Sequence, residues 1–470
     1  MAGPDAREVR ALAGAYALYF GAAGVTLPFL PAHFASLGLE PSRIGLLLAL
    51  GPGLSLLAPS RWGRRADRSG RPDLALRAVT LGAALCFAGL LPARSFPAVL
   101  VAMLGYGLFA TSVIPLLDAL TVECVRRSGG SFGRVRLAGS LAFAASAALF
   151  GRFGGPGREA VVAPLAALAA LAAWVALVVP APRAWAKAAA TPQERGPGEA
   201  TAPPAAPPAS AEASRGRLVP LLAPFLGACV LHWVSLTPFH GSFALHVTAL
   251  GLPLEVVGAC SSLGVLAEVA VMAGSATLLA RLGPVNVLRL AFAATVARWG
   301  LMAVVRGAPA LLAVSLLHGL TFGAFYVAAV AYVSERVPPE HRASGQALFA
   351  AATFGIGGIV GYALSGVGFQ ALGGPRLFAA AAIVELGALA LSARLIELRP
   401  RGGDDSLLTV GPGPTEARGR AAARDAPGPR AGRPRRQIYI SIRNFNARDH
   451  LNKHSVLAGN LPRGMLKGRG

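Results

Sequence analysis

W-G-R-R-A-D-R-S-G-R, Trp62 to Arg71, separates two long apolar runs at 41–60 and 74–92. Within it Arg64, Arg65, Arg68 and Arg71 surround a single acid, Asp67. Gly63 and Gly70 allow tight turns and close helix approach, and Asp67 among the arginines is placed to form a charge-pair latch. Each flanking run is long enough to cross about 30 Å of hydrocarbon at about 1.5 Å per residue. So short and basic a connection between two such runs is the turn joining two membrane-crossing helices.

The pattern continues outward in both directions. Apolar runs fall near 11–36, 41–60, 74–92, 97–122, 135–153 and 160–180, and again near 218–248, 254–281, 284–305, 308–336, 342–369 and 375–398. Only helices or closed barrels satisfy every backbone group in lipid, and barrel strands are about 9–11 residues long. These runs are far longer, so the fold class is an all-α membrane protein with twelve transmembrane helices. The 54% hydrophobic and 14% charged composition agrees, because it leaves too little polar surface to coat a soluble body.

Between the sixth and seventh runs lies a stretch rich in Ala and Pro that contains A-P-P-A-A-P-P-A-S and cannot build a core. The expected organisation is a six-helix bundle over 1–180, a cytoplasmic linker over 181–217, a second six-helix bundle over 218–398 and a disordered basic tail over 399–470. Two six-helix halves in parallel repeat are an architecture of secondary transporters.

The net charge of +22 sits in short connections and in the tail, not on one face of a folded domain, so it serves topology and not nucleic acid. Arginines crowd the connections after the second and fourth runs and in the linker, while the alternate connections are sparse in them. Both termini are therefore expected in the cytoplasm. The first run, from about Ala11, outlasts a signal-peptide core and reads as the first span. Cys86, Cys124, Cys229 and Cys260 have neither metal-ligand nor disulfide spacing, and the chain holds no G-x-x-x-x-G-K loop. No cofactor and no metal are implied.

Charged groups in mid-bilayer cost about 2.5–3.5 kcal/mol each on insertion scales, so they face a cavity or a partner. Asp118, Glu268, Arg298, His318 and Glu385 are such groups. Glu268 falls near the middle of the eighth run. Arg298 and His318 fall about 10 and about 15 Å inside one end of the ninth and tenth. These depths are compatible with one cluster. An acid there holds its proton until a guanidinium approaches, so moving Arg298 relative to Glu268 would switch proton affinity. His318 could share the proton or bind substrate. Asp118, three residues after Pro115, is a second proton-site candidate, and Glu385 is expected to be structural. His232, Trp233, His240 and His246 in the seventh run are placed to line the cavity, with Phe322, Phe325 and Tyr326 offering aromatic surface. Pro28, Pro31 and Pro238 would bend the first and seventh helices.

Four further segments carry a resemblance. They are P-F-L-P (Pro28–Pro31) with S-L-G-L (Ser36–Leu39), F-G-R-V-R-L-A-G-S (Phe132–Ser140), L-G-V-L-A-E (Leu263–Glu268), and L-L-H-G-L-T-F-G-A-F (Leu316–Phe325) with V-P-P-E (Val337–Glu340). With the Gly63, Asp67, Arg68, Gly70 and Arg71 loop, which has a worn copy at Ala280–Arg289, the chain over about 10–398 resembles the major facilitator superfamily. It looks most like the branch of 3-phenylpropionate permease-like proteins, with lactose and nucleoside permeases as relatives. The resemblance implies alternating-access transport, usually proton-coupled. Glu268, Arg298 and His318 match polar residues that serve substrate binding and proton coupling in the lactose permease-like pattern. Where that pattern carries a further acid this chain has Thr321, which moves the expected proton carrier to Glu268. Glu123 and Arg136 match the pattern's substrate-binding pair, although hydropathy sets both near the cytoplasmic ends of their helices. Phe143 stands where a sugar site would stack a Trp.

The expected function is secondary active transport of a small organic solute, an aromatic or other organic acid, a sugar or a nucleoside-like molecule. The expected mode is proton symport by a monomer in the cytoplasmic membrane of a bacterium. Its partners are then the solute, the proton and the lipid bilayer. The alternatives are a proton-driven exporter of the same fold and a non-transporting membrane sensor. An enzyme would need paired catalytic groups or a metal cluster, and the sequence shows neither.

Overall fold

The computed structural model of the chain describes residues 4–128, 130–179 and 208–396. The expected tail, and residues 181–207 of the expected linker, lie outside the described residues. Prolines open several of the helices, at positions where a missing N–H interrupts no helical hydrogen bond. Thus Pro41 begins α2 (Pro41–Ser55), Pro72 begins α4 (Pro72–Ala88), and Pro97 stands in the first turn of α5 (Phe96–Ala110). Around them run α1 (Pro4–Ser36), α3 (Ala58–Ser69), α6 (Val113–Ser128), α7 (Phe132–Phe153) and α8 (Glu159–Leu177). After residue 207 come α9 (Pro208–Ala249), α10 (Leu254–Ala273), α11 (Ser275–Val304) and α12 (Ala308–Ser315). A π-helical turn, Gly319–Ala324, then leads into α13 (Phe325–Arg336). Next, α14 (Arg342–Ala350) passes through a second π segment, Ala351–Gly357, into α15 (Gly358–Ser392). No strand occurs among the described residues.

Nine stretches of the described residues are long and apolar enough to cross a membrane. Twelve runs were expected, and the difference has physical causes. α4 is only 17 residues long. α7 is diluted by Arg134, Arg136 and Arg152. The final stretch, Pro339–Ser392, is 54 residues long and is broken at Gly373, whose φ of 72° interrupts the helix. Counting α4, α7 and the two arms of that stretch gives twelve helical passes among the described residues, consistent with an all-α membrane protein.

One boundary differs from the sequence reading: α9 starts at Pro208, inside the stretch read as linker. The eighth pass bends at Gly274, which stays in the right-handed helical region, and the break before the ninth comes at Gly283, φ 74°, ahead of Pro284. Glu268 therefore lies midway between Leu254 and that break.

Two apolar cores lie within the halves. One gathers Tyr16, Phe34, Phe87, Leu117 and Leu168, the other Phe225, Leu288, Phe292, Phe325 and Phe349. A third crosses between them, joining Phe29 of α1 and Phe150 of α7 to Phe243, Trp299 and Phe378. It lies toward the end of the bundle remote from α3. Backbones meet closely along the same seams: a Cβ on Gly258 of α10 would lie 3.0 Å from the Gly151 Cα of α7. A Cβ on Gly45 of α2 would likewise lie 2.9 Å from the Gly366 Cα of α15. Such small-residue contacts let membrane helices pack by van der Waals contact. Hydrogen bonds reinforce both seams, from Ser262 Oγ to the Ala144 carbonyl at 2.7 Å and from the Ser42 N–H to Gln370 Oε1 at 3.2 Å.

Candidate functional site

Where α1, α7, α9, α10 and the turn after α12 converge, they leave a cavity of about 240 Å³. Its walls are largely phenylalanine: Phe20, Phe143, Phe239, Phe243 and Phe322. Two charged side chains face it, Arg136 from α7 and Glu268 from α10, and His240 and His318 complete its polar lining with Ser140 and Ser261. Arg136 therefore reaches the cavity despite its place one turn inside α7. Its guanidinium lies 4.2 Å over the Phe20 ring and 5.3 Å over Tyr16, and it makes no ion pair among the described residues.

Glu268, His318 and Arg298 form a line, not a direct pair. His318 Nε2 is 3.7 Å from Glu268 Oε2, and Arg298 Nη1 is 3.0 Å from His318 Nδ1. An arginine can only donate, so His318 Nδ1 accepts and the neutral ring carries its hydrogen on Nε2, toward Glu268. Arg298 is fully buried. It also donates to Thr321 Oγ1 at 2.9 Å and lies 4.3 Å over Phe239 and 4.7 Å over Trp299. Its Nε and Nη2 have no hydrogen-bond partner. The histidine thus stands between the acid and the base that the sequence set side by side.

Asp118 lies on the Arg136 side of the cavity, where the Tyr16 hydroxyl donates to its Oδ1 at 2.5 Å. Glu123 is elsewhere. It is held by Arg126 at 2.8 Å and Arg127 at 3.6 Å, while Arg127 also pairs with Glu8 at 2.8 Å. Glu123 and Arg136 are accordingly not brought together. Phe143 and Phe322 line the cavity, and Tyr326 stacks on Phe322 with ring centroids 6.2 Å apart.

In the loop, Gly70 takes a left-handed φ of 62° and ends α3. Gly63 lies inside α3 against open space, so it serves no close approach here. Asp67 and Arg68 are exposed, and Asp67 makes no ion pair among the described residues. The charge pair forms further on, where Arg71 donates to Asp73 through two guanidinium nitrogens, Nε and Nη2, at 3.0 and 2.9 Å. In the worn copy, Arg289 donates to the Ser392 and Leu395 carbonyls at 3.4 and 3.3 Å, capping the end of α15.

Residues 9–380 match the MFS_1 like family. The chain belongs to that family. It is a membrane transporter of the major facilitator type, and its relatives agree. One is the probable 3-phenylpropionic acid transporter of Escherichia coli (strain K12), 28% identical over 390 residues, 83% of this chain and 98% of the relative. Another is the uncharacterized transporter YwbF of Bacillus subtilis (strain 168), 23% identical over 356 residues, 75% of this chain and 84% of the relative. Among solved structures, the nucleoside transporter NupG has the same fold, with a TM-score of 0.69 at 18% identity, covering 82% of this chain and 97% of NupG.

Within this major facilitator fold, the sequence reading missed Phe20, Phe239 and Phe243 as lining residues, and Tyr16 as the partner of Asp118. Phe20 lies one turn after Tyr16, and Phe239 directly follows Pro238, so both had local signals. Of the four residues picked in the seventh pass, His240 lines the cavity, and Trp233 stacks on it with centroids 6.0 Å apart. His232 is buried away from it beside Glu385, and His246 packs on Phe378.

Proposed function

We propose that the chain is a proton-coupled symporter of a small aromatic carboxylate. It works by alternating access across a bacterial inner membrane, with both termini cytoplasmic and two six-helix halves, 1–180 and 218–398, rocking about the cavity. One observation carries this reading: Arg136 from the first half and Glu268 from the second face the same phenylalanine-walled space.

The charge balance explains the coupling. The cavity is lined by one positive and one negative group, Arg136 and Glu268. An arriving carboxylate, drawn to the unpaired Arg136, makes the sum negative in a medium where net charge is costly. A proton on Glu268 restores neutrality, so anion and proton travel together. His318, fixed by Arg298 with its Nε2 hydrogen toward Glu268, steadies that carboxylate when it is ionised. The phenylalanines take the aromatic body of the solute. The third apolar core and the glycine contacts support a conformation sealed at the end remote from α3, with access from the α3 side.

The likeness to the probable 3-phenylpropionic acid transporter of Escherichia coli recommends 3-phenylpropionate as the probe. In proteoliposomes, an inside-alkaline gradient drives its accumulation. Glu268→Gln abolishes that accumulation and spares counterflow exchange. Equal accumulation with and without the gradient would remove the coupling. Uptake that no aryl carboxylate competes for would remove the substrate class.

A further inference from the structure

His232 and Glu385 are fully buried, at mid-depth in α9 and in the second arm of α15. Two ionisable groups there cost several kcal/mol to bury unless paired and hydrogen-bonded. His232 Nε2 lies 3.0 Å from the Thr321 carbonyl, which can only accept, so Nε2 carries a hydrogen. His232 Nδ1 lies 2.8 Å from Glu385 Oε1, so one proton is shared between them and the pair is neutral. Glu385 Oε2 meets Ser235 Oγ at 2.5 Å, and Ser235 Oγ also lies 2.8 Å from the His232 carbonyl. Phe292 and Phe325 close over the ring, with centroids 5.2 and 4.2 Å from it.

A serine hydroxyl has one hydrogen and two acceptors within reach here. When it donates to Oε2, the pair holds one proton. When it turns to the His232 carbonyl, Oε2 can hold a second proton and donate it to Ser235 Oγ. In both states Glu385 Oε2 stays bonded to Ser235 Oγ, which also accepts from Trp299 Nε1 at 3.3 Å, while the Ser235 bond to the His232 carbonyl forms only in the second; the step adds one proton and one positive charge. A merely structural ion pair needs only the first state.

Thr321 ties this network to the cavity. Its carbonyl accepts from His232 while its hydroxyl accepts from Arg298, which holds His318. Thr321 sits in the π-helical turn Gly319–Ala324, a distortion that recurs at functional sites. The other titratable groups around the pair are Cys229 on α9, Arg298 on α11, and His318 with Glu268 beyond Thr321. We infer that His232 and Glu385 form a second proton-exchange site, linked to the cavity through Thr321 and Arg298. Arg298 opposes the added positive charge and an anion in the cavity favours it, so loading of this site follows loading of the cavity. That consequence rests on the proposed carboxylate symport, while the existence of the site does not.

The test is infrared difference spectroscopy on the purified full-length chain, acidified from about pH 8 to about pH 5. The wild type should gain a protonated-carboxyl band that Glu385→Gln lacks, with about one proton fewer bound per molecule in the variant. A band at the frequency of a carboxyl shielded from water should persist in Asp118→Asn/Glu268→Gln, where Glu385 is the mid-membrane acid left among the described residues, and this arm stands even if Glu385→Gln does not fold. At one fixed pH, 3-phenylpropionate should enlarge the band in the wild type. Identical spectra for wild type and Glu385→Gln, or no titrating band in the double variant, would overturn the site. A titrating Glu385 without 3-phenylpropionate transport would overturn the substrate class and leave the site standing.

Discussion

Arg298 donates to Nδ1 of His318 at 3.0 Å, and its guanidinium meets no carboxylate among the described residues. A buried cation without an acid is held by a neutral ring, a hydroxyl and two aromatic faces. Those contacts offset only part of the desolvation cost, which amounts to several kcal/mol for a buried ion. Replacing it by an apolar chain of similar length should therefore not cost stability. Arg298→Met is expected to keep or raise the melting temperature in detergent while gradient-driven uptake falls to background. A fall in melting temperature of more than a few degrees would mean that the guanidinium stabilises the fold on balance.

The Gly151–Gly258 contact makes a second expectation specific. The space at Gly258 is filled by the α7 backbone, including the Ala147 carbonyl, so no side chain can be accommodated without moving α10 from α7. Overpacking typically costs about 1–3 kcal/mol. Gly258→Val should place that cost on the state sealed at this end alone, shifting the two-state population by about 5- to 150-fold. Spin labels on residues 153 and 254, at the end remote from α3, should show a longer-distance population than in the parent. An unchanged distance distribution would show that the contact does not control this seal.

What could be read in advance follows the range of the forces involved. The helical passes were legible because lipid imposes run length locally, through backbone groups that cannot go unpaired. The α3 loop was legible for a similar reason. Gly70 and the arginines act within a few residues, although the acid that pairs is Asp73 and not Asp67. The site was only partly legible. Arg136 looked too shallow because depth was counted from run ends, and one fact was hidden: its side chain reaches over Phe20. Helix rotation decides the rest. Nothing in a linear pattern puts His318 between Glu268 and Arg298, or joins His232 to Glu385 across 153 positions.

The Arg71–Asp73 pair predicts an asymmetry. Asp73 has 1% of its side chain exposed and Arg71 has 46%. Removing the acid lets Arg71 return to water, so Asp73→Asn should cost about 1 kcal/mol or less. Removing the base strands a carboxylate out of water with Arg77 as the remaining cation nearby. Arg71→Ala should therefore lower the melting temperature clearly more than Asp73→Asn. Equal losses would mean that Arg77 takes over the pairing.

Arg136 offers the most direct reading of substrate chemistry, because its guanidinium faces the cavity without an ion-pair partner. A charge-assisted hydrogen bond contributes about 1.5–3 kcal/mol, or about 10- to 100-fold in affinity. Arg136→Ala should therefore weaken binding of 3-phenylpropionate by that factor. The neutral 3-phenylpropionamide, whose carbonyl can accept from the guanidinium but brings no charge to it, should weaken clearly less than the acid. Arg136→Lys keeps the charge but loses the planar fork, so its affinity for the acid should fall between the two. Isothermal titration of the purified protein with both compounds separates the possibilities. If acid and amide weaken equally in Arg136→Ala, the arginine holds the cavity's shape and does not meet the carboxylate, and the charge balance proposed for coupling loses its positive member.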